Sequence, residues 1–145
     1  MEIFNRKASY EFYVDARYLA GMVLQGTEIK SIREGKVNFG DSFCVFHQSE
    51  LFVRSLHIAE YAMGTYTNHD PMRERKLLLS KRELRKLEAK TKEKGFTIIP
   101  LRIFFSEKGY AKMEIGLCRG KKMFDKRESI KERESTRAIK RQYGV

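Results

Sequence analysis

Six short stretches of the chain alternate between apolar and polar residues, or concentrate β-branched and aromatic residues between turn-forming ones, and each is predicted to be a β-strand. In chain order they are "ASYEFYV", "TEIKSIR", "SFCVFH", "LFVRSLHI", "FTIIPLRIFF" and "YAKMEIGLC". Only residues 106–109 separate the last two stretches, which predicts an antiparallel hairpin.

The alternation assigns one face of each hairpin strand to the core. In the first strand this face carries Ile99, Leu101, Ile103 and Phe105, and in the second it carries Ala111, Met113, Ile115 and Leu117. Lys112 falls on the opposite face, because successive side chains of a strand point to opposite sides. We therefore expect Lys112 to point away from the core.

The clearest helix signal is "LLLSKRELRKLEAKTKEKG". Ser80 and Glu83 match a capping box, Leu79 and Leu84 stand at the hydrophobic-staple positions, and Gly95 marks the end. The apolar side of this helix is thin, so we expect it on the outside of a sheet with its basic side in solvent.

A second, shorter helix is predicted across "ARYLAGMVLQ", with Asp15 as its N-cap and Gly26 at its end. About six strands, one peripheral helix and one short helix indicate a mainly β fold, a small antiparallel barrel. A chain of 145 residues suits one core of this kind.

The alternation stops after Cys118, at the start of "CRGKKMFDKRESIKERE". A helix over the following residues would have one basic ridge formed by Lys126, Ile130, Arg133, Arg137 and Arg141. With a single apolar member, that ridge cannot offset an ordering entropy of roughly 1 to 2 kcal/mol per residue. We predict a barrel over residues 1–119 and a basic tail over residues 120–145 that is disordered in the free protein and helical against an anionic partner.

The net charge of +11 is concentrated in two segments. Residues 72–95 and residues 119–145 each carry +6, and the rest of the chain sums to −1. Clustered Lys and Arg are typical of proteins that bind polyanions, because they displace counterions from phosphates. An anionic membrane surface would require an amphipathic helix with a rich apolar face, which neither segment has.

Several other classes of function are disfavoured. The chain has no long apolar run and no secretory signal at its start, so we expect a cytoplasmic protein. Cys44 and Cys118 are expected to be free thiols, and His47, His57 and His69 lack metal-ligand spacing. No catalytic motif is present, so we expect a binding protein with no metal or cofactor rather than an enzyme.

Two aromatic residues are candidates for contact with RNA. Tyr13 points away from the predicted core face of its strand, and Phe124 lies within the basic tail. Aromatic rings held among cations stack on bases, an interaction worth roughly 1 to 3 kcal/mol per base. For Tyr13, packing under a loop is favoured over contact with RNA, whereas Phe124 is expected to contact a partner.

Four separate blocks, in collinear order over nearly the whole chain, resemble the SsrA-binding protein family, also called small protein B. They are "NRKASYEFYV", "GMVLQGTEIKSIREGKVNFGDSF", "RERKLLLSKREL" and "KMEIGLCRGKKMFDKRESIKERE". The resemblance implies a closed barrel of the oligonucleotide-binding (OB) type with a C-terminal tail, and a monomer without metal or cofactor.

The same resemblance implies a role in bacterial trans-translation. Family members bind the tRNA-like domain of transfer-messenger RNA and deliver the alanine-charged RNA to ribosomes stalled without a stop codon. The body of the protein occupies the place of the missing anticodon arm, and the tail enters the empty mRNA channel of the small ribosomal subunit. Elongation factor Tu and alanyl-tRNA synthetase are associated partners.

The resemblance also implies which residues carry each role. The implied RNA contacts are Leu78, Ser80, Lys112, Gly120, Lys121 and Lys122. The implied residues for activity on the ribosome are Asp125, Lys126 and Arg127. Beside the resemblance, we predict that Phe124, Ile130, Lys131 and Arg133 of the same tail also serve its function on the ribosome. Ser80 is also the predicted N-cap of the basic helix, and Leu19 is a departure, since many family members have Glu at this position.

Two other classes remain open from the residues alone. One is a general single-strand or ribosomal RNA-binding barrel without a role in ribosome rescue. The other is a metal-dependent nuclease on a similar barrel. The blocks around "GTEIKS" and "GKKMFDKR" favour the rescue role, because an unspecialised barrel needs neither.

Overall fold

The computed structural model describes residues 2–63 and 68–121. The predicted disorder and induced helix of the tail concern residues outside these ranges, except for Gly120 and Lys121. The described helices and strands are β1 (Glu2–Phe4), α1 (Arg6–Glu11), β2 (Phe12–Met22), α2 (Gly26–Arg33), β3 (Val37–Asn38), β4 (Phe43–His47), β5 (Glu50–Arg54), β6 (His57–Ile58), β7 (Arg75–Leu78), α3 (Lys81–Thr91), β8 (Phe96–Phe105) and β9 (Ala111–Gly120).

A large antiparallel sheet dominates the fold. Its seven strands follow the order β1-β8-β4-β5-β7-β2-β9, and β8 also pairs with β9. The strands β3 and β6 form a separate two-stranded pair. The predicted mainly β class is therefore confirmed, and so is the predicted antiparallel hairpin of β8 and β9.

The main hydrophobic cluster lies on the inward face of the large sheet. The face predicted for the last strand is confirmed, since Ala111, Met113, Ile115 and Leu117 are all buried. Side chains from α2 and α3 complete this cluster, with Ile32 and Leu87 fully buried. The opposite, outward face of the sheet can form a binding site wherever no helix covers it.

Helix α1 covers one end of the outward face and forms a second, smaller cluster there. Ala8 packs with Ile99, Leu101 and Cys118 in this cluster. The prediction that Ile99 and Leu101 share a face with Ile103 is wrong, because Ile103 belongs to the main cluster. The pairing of β8 with β9 shifts register between residues 100 and 102. A proline within a strand, here Pro100, is a signal for such an irregularity.

The predicted helix across residues 16–25 is wrong, because residues 12–22 form strand β2. This strand is paired along its length with β9, and near its end with β7. The start of the predicted first strand instead forms α1, whose N-cap Asn5 accepts a hydrogen bond from the backbone N–H of Ala8 at 3.3 Å. Pairing with distant strands decides the conformation here, since local propensity is a weak guide.

The stretch "TEIKSIR", predicted as a strand, is helix α2. The side chain of Glu28 accepts a hydrogen bond from the backbone N–H of Gln25 at 2.7 Å, which completes a capping box. The predicted helix after Ser80 is confirmed as α3, with the predicted capping box between Ser80 and Glu83. Its apolar side is as thin as expected, with Leu87 as its one buried residue.

Both cysteines are free and buried. Burial raises the pKa of the Cys118 thiol to about 11. It raises the pKa of Cys44 further, with a smaller contribution from the nearby Cys118. Both side chains are therefore neutral thiols at neutral pH, and the expectation of free thiols is confirmed.

A buried ionic cluster, formed by Glu28, Arg73 and Arg75, joins α2 to β7. The carboxylate of Glu28 and the guanidinium of Arg75 are both fully buried and meet at 2.6 Å. Arg73 donates a second charged hydrogen bond to Glu28, also at 2.6 Å. Arg75 further donates to the carbonyl oxygens of Leu56 and Pro71. The cluster thus fixes α2, β7 and the loop before β7 relative to one another.

His69 fixes the same loop by ordinary hydrogen bonds. Its ring nitrogens lie 2.9 Å from the hydroxyl oxygen of Thr27 and 2.8 Å from the carbonyl oxygen of Ile58. The side chain is buried. These contacts give His69 a structural role.

Gly116 is a position where the second cluster leaves no room for a side chain. A Cβ atom there would lie 2.9 Å from Leu101 Cδ1 and 3.1 Å from both Cys118 Sγ and Val14 Cγ1. We expect Gly116→Ala to lower the free energy of unfolding by about 1 to 3 kcal/mol, the usual cost of overpacking. Urea denaturation measures this change.

The matched control is Gly26→Ala, because a Cβ atom there has no neighbour within 4 Å. Gly26 is the first residue of α2, so alanine is compatible with its conformation. An unchanged stability for Gly116→Ala, or an equal loss for Gly26→Ala, would contradict this description of the cluster.

Candidate nucleic-acid interface

Three neighbouring strands bring Leu78, Gly21 and Lys112 together on the outward face of the sheet. Gly21 is paired with Leu78 on β7 and with Lys112 on β9. Directly paired residues of antiparallel strands present their side chains on the same face. Leu78 is 51% exposed although it is a large apolar residue. These three residues form a row, called here the Lys112 row, that contains two of the predicted RNA contacts.

Gly21 lies between Leu78 and Lys112 in the Lys112 row and has no side chain to separate them. A Cβ atom at this position would lie 3.5 Å from Leu78 Cβ and 3.9 Å from Lys112 Nζ, so any larger side chain would fill the space between them. The sequence pattern did not single out Gly21, because the residue was assigned to a helix. A glycine inside a strand is the signal that was available, since it often marks the close approach of a ligand or another backbone.

Lys112 is the cation of this row. Its ammonium group forms no ion pair within 4.0 Å among residues 2–63 and 68–121. The strand register turns Lys112 away from the core as predicted, since its neighbours Ala111 and Met113 are buried. An uncompensated ammonium group beside an exposed leucine suits a phosphate together with a ribose or base.

Leu19 lies next to the Lys112 row on β2, two residues before Gly21. It is 54% exposed and is paired with Glu114 on β9. Glu114 lies 3.5 Å from Arg17 and 3.1 Å from Arg102, both measured from Oε1 to a guanidinium nitrogen. The acidic residue in this part of the surface is therefore Glu114 on β9. Leu19 adds apolar surface to that of Leu78.

Ser80 lies two residues after Leu78, at the beginning of α3. Its hydroxyl oxygen accepts a hydrogen bond from the backbone N–H of Glu83 at 3.2 Å and caps the helix as predicted. The side chain of Glu83 in turn accepts a hydrogen bond from the Ser80 backbone N–H. The hydroxyl group is thus engaged in the helix cap, and a contact of Ser80 with RNA stays a prediction.

Gly120 and Lys121 lie at the other end of β9. Gly120 is paired with Phe12. The ammonium group of Lys121 donates a hydrogen bond to the carbonyl oxygen of Ser9 at 3.0 Å and lies 5.0 Å from the centre of the Tyr13 ring. Tyr13 is 40% exposed, which favours a surface role over packing under a loop.

The predicted RNA contacts therefore fall into two groups. Gly120 lies eight residues beyond Lys112 on the same strand, a separation on the order of 25 Å at about 3.3 Å per residue. The remaining predicted site residues lie outside the described residues: Lys122, Phe124, Asp125, Lys126, Arg127, Ile130, Lys131 and Arg133. An RNA that contacts both groups must extend along the length of β9.

Metal sites and membrane-spanning helices are absent from the described part of the chain. Among residues 2–63 and 68–121, no group of three His, Cys, Asp or Glu side chains is placed to hold a metal ion. In the same part of the chain, no helix has the length and apolar character needed to cross a membrane.

Comparison with known proteins identifies the family. The family model described as "SmpB protein" matches residues 2–144. The SsrA-binding protein of Flavobacterium psychrophilum is 56% identical over 141 residues, which cover 97% of this chain and 94% of that protein. The SsrA-binding protein of Phocaeicola vulgatus is 52% identical over 143 residues, covering 99% of this chain and 95% of that protein.

A solved structure is similar over the same extent. It is described as "tmRNA-SmpB: a journey to the center of the bacterial ribosome", and its matching chain is 47% identical to this one. The match covers 97% of this chain and 98% of that chain, with a TM-score of 0.75. This chain belongs to the SmpB protein family.

Proposed function

We propose that this protein binds the tRNA-like domain of transfer-messenger RNA and delivers it to stalled ribosomes in trans-translation. The observation that carries the proposal is the Lys112 row, where an exposed leucine and a lysine without an ion pair in the described part of the chain lie on either side of Gly21. The similar proteins are named SsrA-binding proteins, and the similar solved structure is described as tmRNA-SmpB in the bacterial ribosome.

The row binds RNA through two kinds of contact. Lys112 neutralises a phosphate, which contributes affinity whatever the base sequence. Leu78 and Leu19 cover a ribose or a base with apolar surface, and Gly21 allows the RNA to approach the backbone of β2. Phosphate contacts of this kind position the RNA, whereas the shape of the apolar surface selects which nucleotide fits.

We further propose that the large sheet is a closed barrel of the OB type. The pairings β8–β4, β4–β5, β5–β7, β7–β2, β2–β9 and β9–β8 support this, because they lead from β8 back to β8. Closure removes free sheet edges and holds the strands of the Lys112 row in fixed register. A rigid row loses little entropy when RNA binds.

Residues 120–145 act separately from the barrel in this proposal. Lys121 leaves β9 beside Ser9 and Tyr13, at the end of the strand opposite to Lys112. The tail then binds the small ribosomal subunit and its RNA through the residues from Phe124 to Arg133. The protein acts in the cytoplasm as a monomeric adaptor without catalytic activity or cofactor. Alanyl-tRNA synthetase and elongation factor Tu are its further partners.

The proposal predicts that Lys112→Ala and Leu78→Ala each weaken binding of a tRNA-like domain transcript by about 5- to 10-fold at physiological salt. Lys112→Ala is also expected to reduce the slope of log affinity against log salt by about 0.7 to 0.9, because one phosphate contact is lost. Leu78→Ala leaves that slope unchanged. Filter binding over a series of salt concentrations measures both quantities.

The control is Lys36→Ala, which removes an exposed lysine between α2 and β3 and changes the net charge equally. Its affinity is expected to stay within about 2-fold of the wild type, since a distant exposed charge is largely screened. A loss as large as that of Lys112→Ala would show that the net charge, and not the row, determines binding.

A further inference from the structure

The outward face of the sheet continues past the Lys112 row onto β8 and β1. Lys112 is paired with Phe104 on β8, and Phe104 is paired with Glu2 on β1. In the next pair of these strands on the same face, two residues along, Arg102 lies opposite Phe4. Two aromatic rings and one guanidinium group therefore share a face with Lys112, on strands that adjoin the proposed site.

Arg102 is held in place from three sides. Its guanidinium carbon lies 4.3 Å from the centre of the Phe104 ring. It donates a hydrogen bond to Glu2 Oε1 at 2.7 Å and another to Glu114 Oε1 at 3.1 Å. A guanidinium group bound by two carboxylates on an aromatic ring has little rotational freedom. Phe104 and Arg102 thus form a fixed stack beside Lys112.

The charges of this region favour a base as its occupant. Glu2 and Glu114 together compensate the charges of Arg102 and of Arg17, which also pairs with Glu114, so the stack has no excess positive charge to bind a phosphate. Phe4 is 57% exposed and adds a second ring at the edge. Flat, nearly neutral aromatic surface next to Lys112, which has no ion-pair partner among the residues described, suits one nucleotide, with its base on the rings and its phosphate at the Lys112 ammonium group.

The distances allow one nucleotide to place its base on the rings and its phosphate at Lys112. Side chains on directly paired residues start from Cβ atoms about 4.5 to 5.5 Å apart. The ring of Phe104 and the stem of Lys112 are such a pair. An apolar peptide would gain less from this surface, because it would desolvate the ammonium group of Lys112 without offering it a partner.

We propose that Phe104, stacked on Arg102 and flanked by Phe4, is a stacking platform for an unpaired base of the same RNA that binds the Lys112 row. This inference rests on the proposed function and extends it from phosphate binding to base recognition. The platform reads the flat face of a base and discriminates weakly between base identities.

The test measures binding of the tRNA-like domain transcript to the full-length protein and to Phe104→Leu, Phe4→Leu and Phe104→Tyr. Leucine keeps the apolar volume of the side chain but lacks an aromatic ring, whereas tyrosine keeps the aromatic ring. We expect Phe104→Leu to weaken binding by about 5- to 100-fold with an unchanged salt slope. Phe4→Leu weakens binding less, and Phe104→Tyr binds within about 2-fold of the wild type.

Phe46→Leu is the control for loss of a ring, because Phe46 packs against the main cluster inside the sheet. Phe4→Leu guards against misfolding of the Phe104 variant, since Phe4 is mostly exposed. If Phe104→Leu and Phe4→Leu both bind with wild-type affinity, the stacking platform is overturned but the proposed function is not. A loss that Phe104→Tyr does not restore also overturns it. If the wild-type protein does not bind this RNA, the proposed function fails and the platform fails with it.

Discussion

Truncation of the chain after Met123 is expected to abolish peptide tagging on stalled ribosomes while leaving affinity for the tRNA-like domain within about 3-fold of the wild type. The deletion removes seven Lys or Arg and four Asp or Glu, so the loss of general electrostatic attraction is small. The Lys112 row and the described end of β9 remain intact. Reconstituted translation of an mRNA without a stop codon, with detection of the peptide tag, measures the first effect.

Asp125→Ala is expected to reproduce the loss of tagging with a single substitution. Lys112→Ala is the reciprocal control, because it should weaken RNA binding and reduce tagging only as far as less RNA is delivered. High RNA concentration should therefore restore tagging to Lys112→Ala but not to the truncated protein. An equal loss of RNA affinity in the truncated protein and in Lys112→Ala would contradict the separation of barrel and tail.

Glu28→Ala is expected to lower the free energy of unfolding by about 3 to 5 kcal/mol, the usual cost of removing one partner of a buried ion pair. The substitution leaves the guanidinium group of Arg75 fully buried without its carboxylate. Urea denaturation monitored by circular dichroism measures the change. The matched control is Glu34→Ala, which removes an exposed acid paired with Lys36 and should cost less than about 1 kcal/mol. Similar losses for the two variants would show that the buried cluster has no special role.

The pH dependence of stability provides an independent test of the same cluster. Burial by itself would raise the pKa of Glu28, but hydrogen bonds from Arg73, the Gln25 backbone and Arg75 outweigh it and hold the pKa below its ordinary value of 4.5. The unfolded chain thus takes up this proton at higher pH than the folded protein does. The stabilisation is fully present above the unfolded pKa and is lost as pH falls through the folded pKa. The stability difference between the wild type and Glu28→Gln should therefore shrink as pH falls below 4.5.

The sequence predicted the elements whose signals are local. The capping box of Ser80 and Glu83 and the short connection between β8 and β9 depend on neighbouring residues, and both are present. Strand β2 was predicted as a helix because its conformation depends on pairing with β9 and β7, which no local pattern contains. Helix α2 was predicted as a strand because the stretch contains β-branched residues, and the capping box that Glu28 completes was not recognised in the sequence.

The same distinction applies to the candidate site. Alternation placed Lys112 on the outward face, and the family resemblance led to the prediction that Leu78 and Lys112 contact RNA. Their approach across Gly21 could not be predicted, since it requires the register of three strands that are far apart in the chain. The outward position of Phe104 could have been predicted from the sequence. Phe104 follows Ile103 in the same strand, and Ile103 was correctly assigned to the core.

The measurement that tests the proposed function most directly is sequencing of the RNA that copurifies with the native, full-length protein. Recovery of one abundant RNA with a tRNA-like end, depleted when Lys112→Ala is purified in the same way, is the predicted result. A mixed population of unrelated single-stranded or ribosomal RNA fragments, unaffected by Lys112→Ala, would contradict the proposal and favour a general RNA-binding barrel.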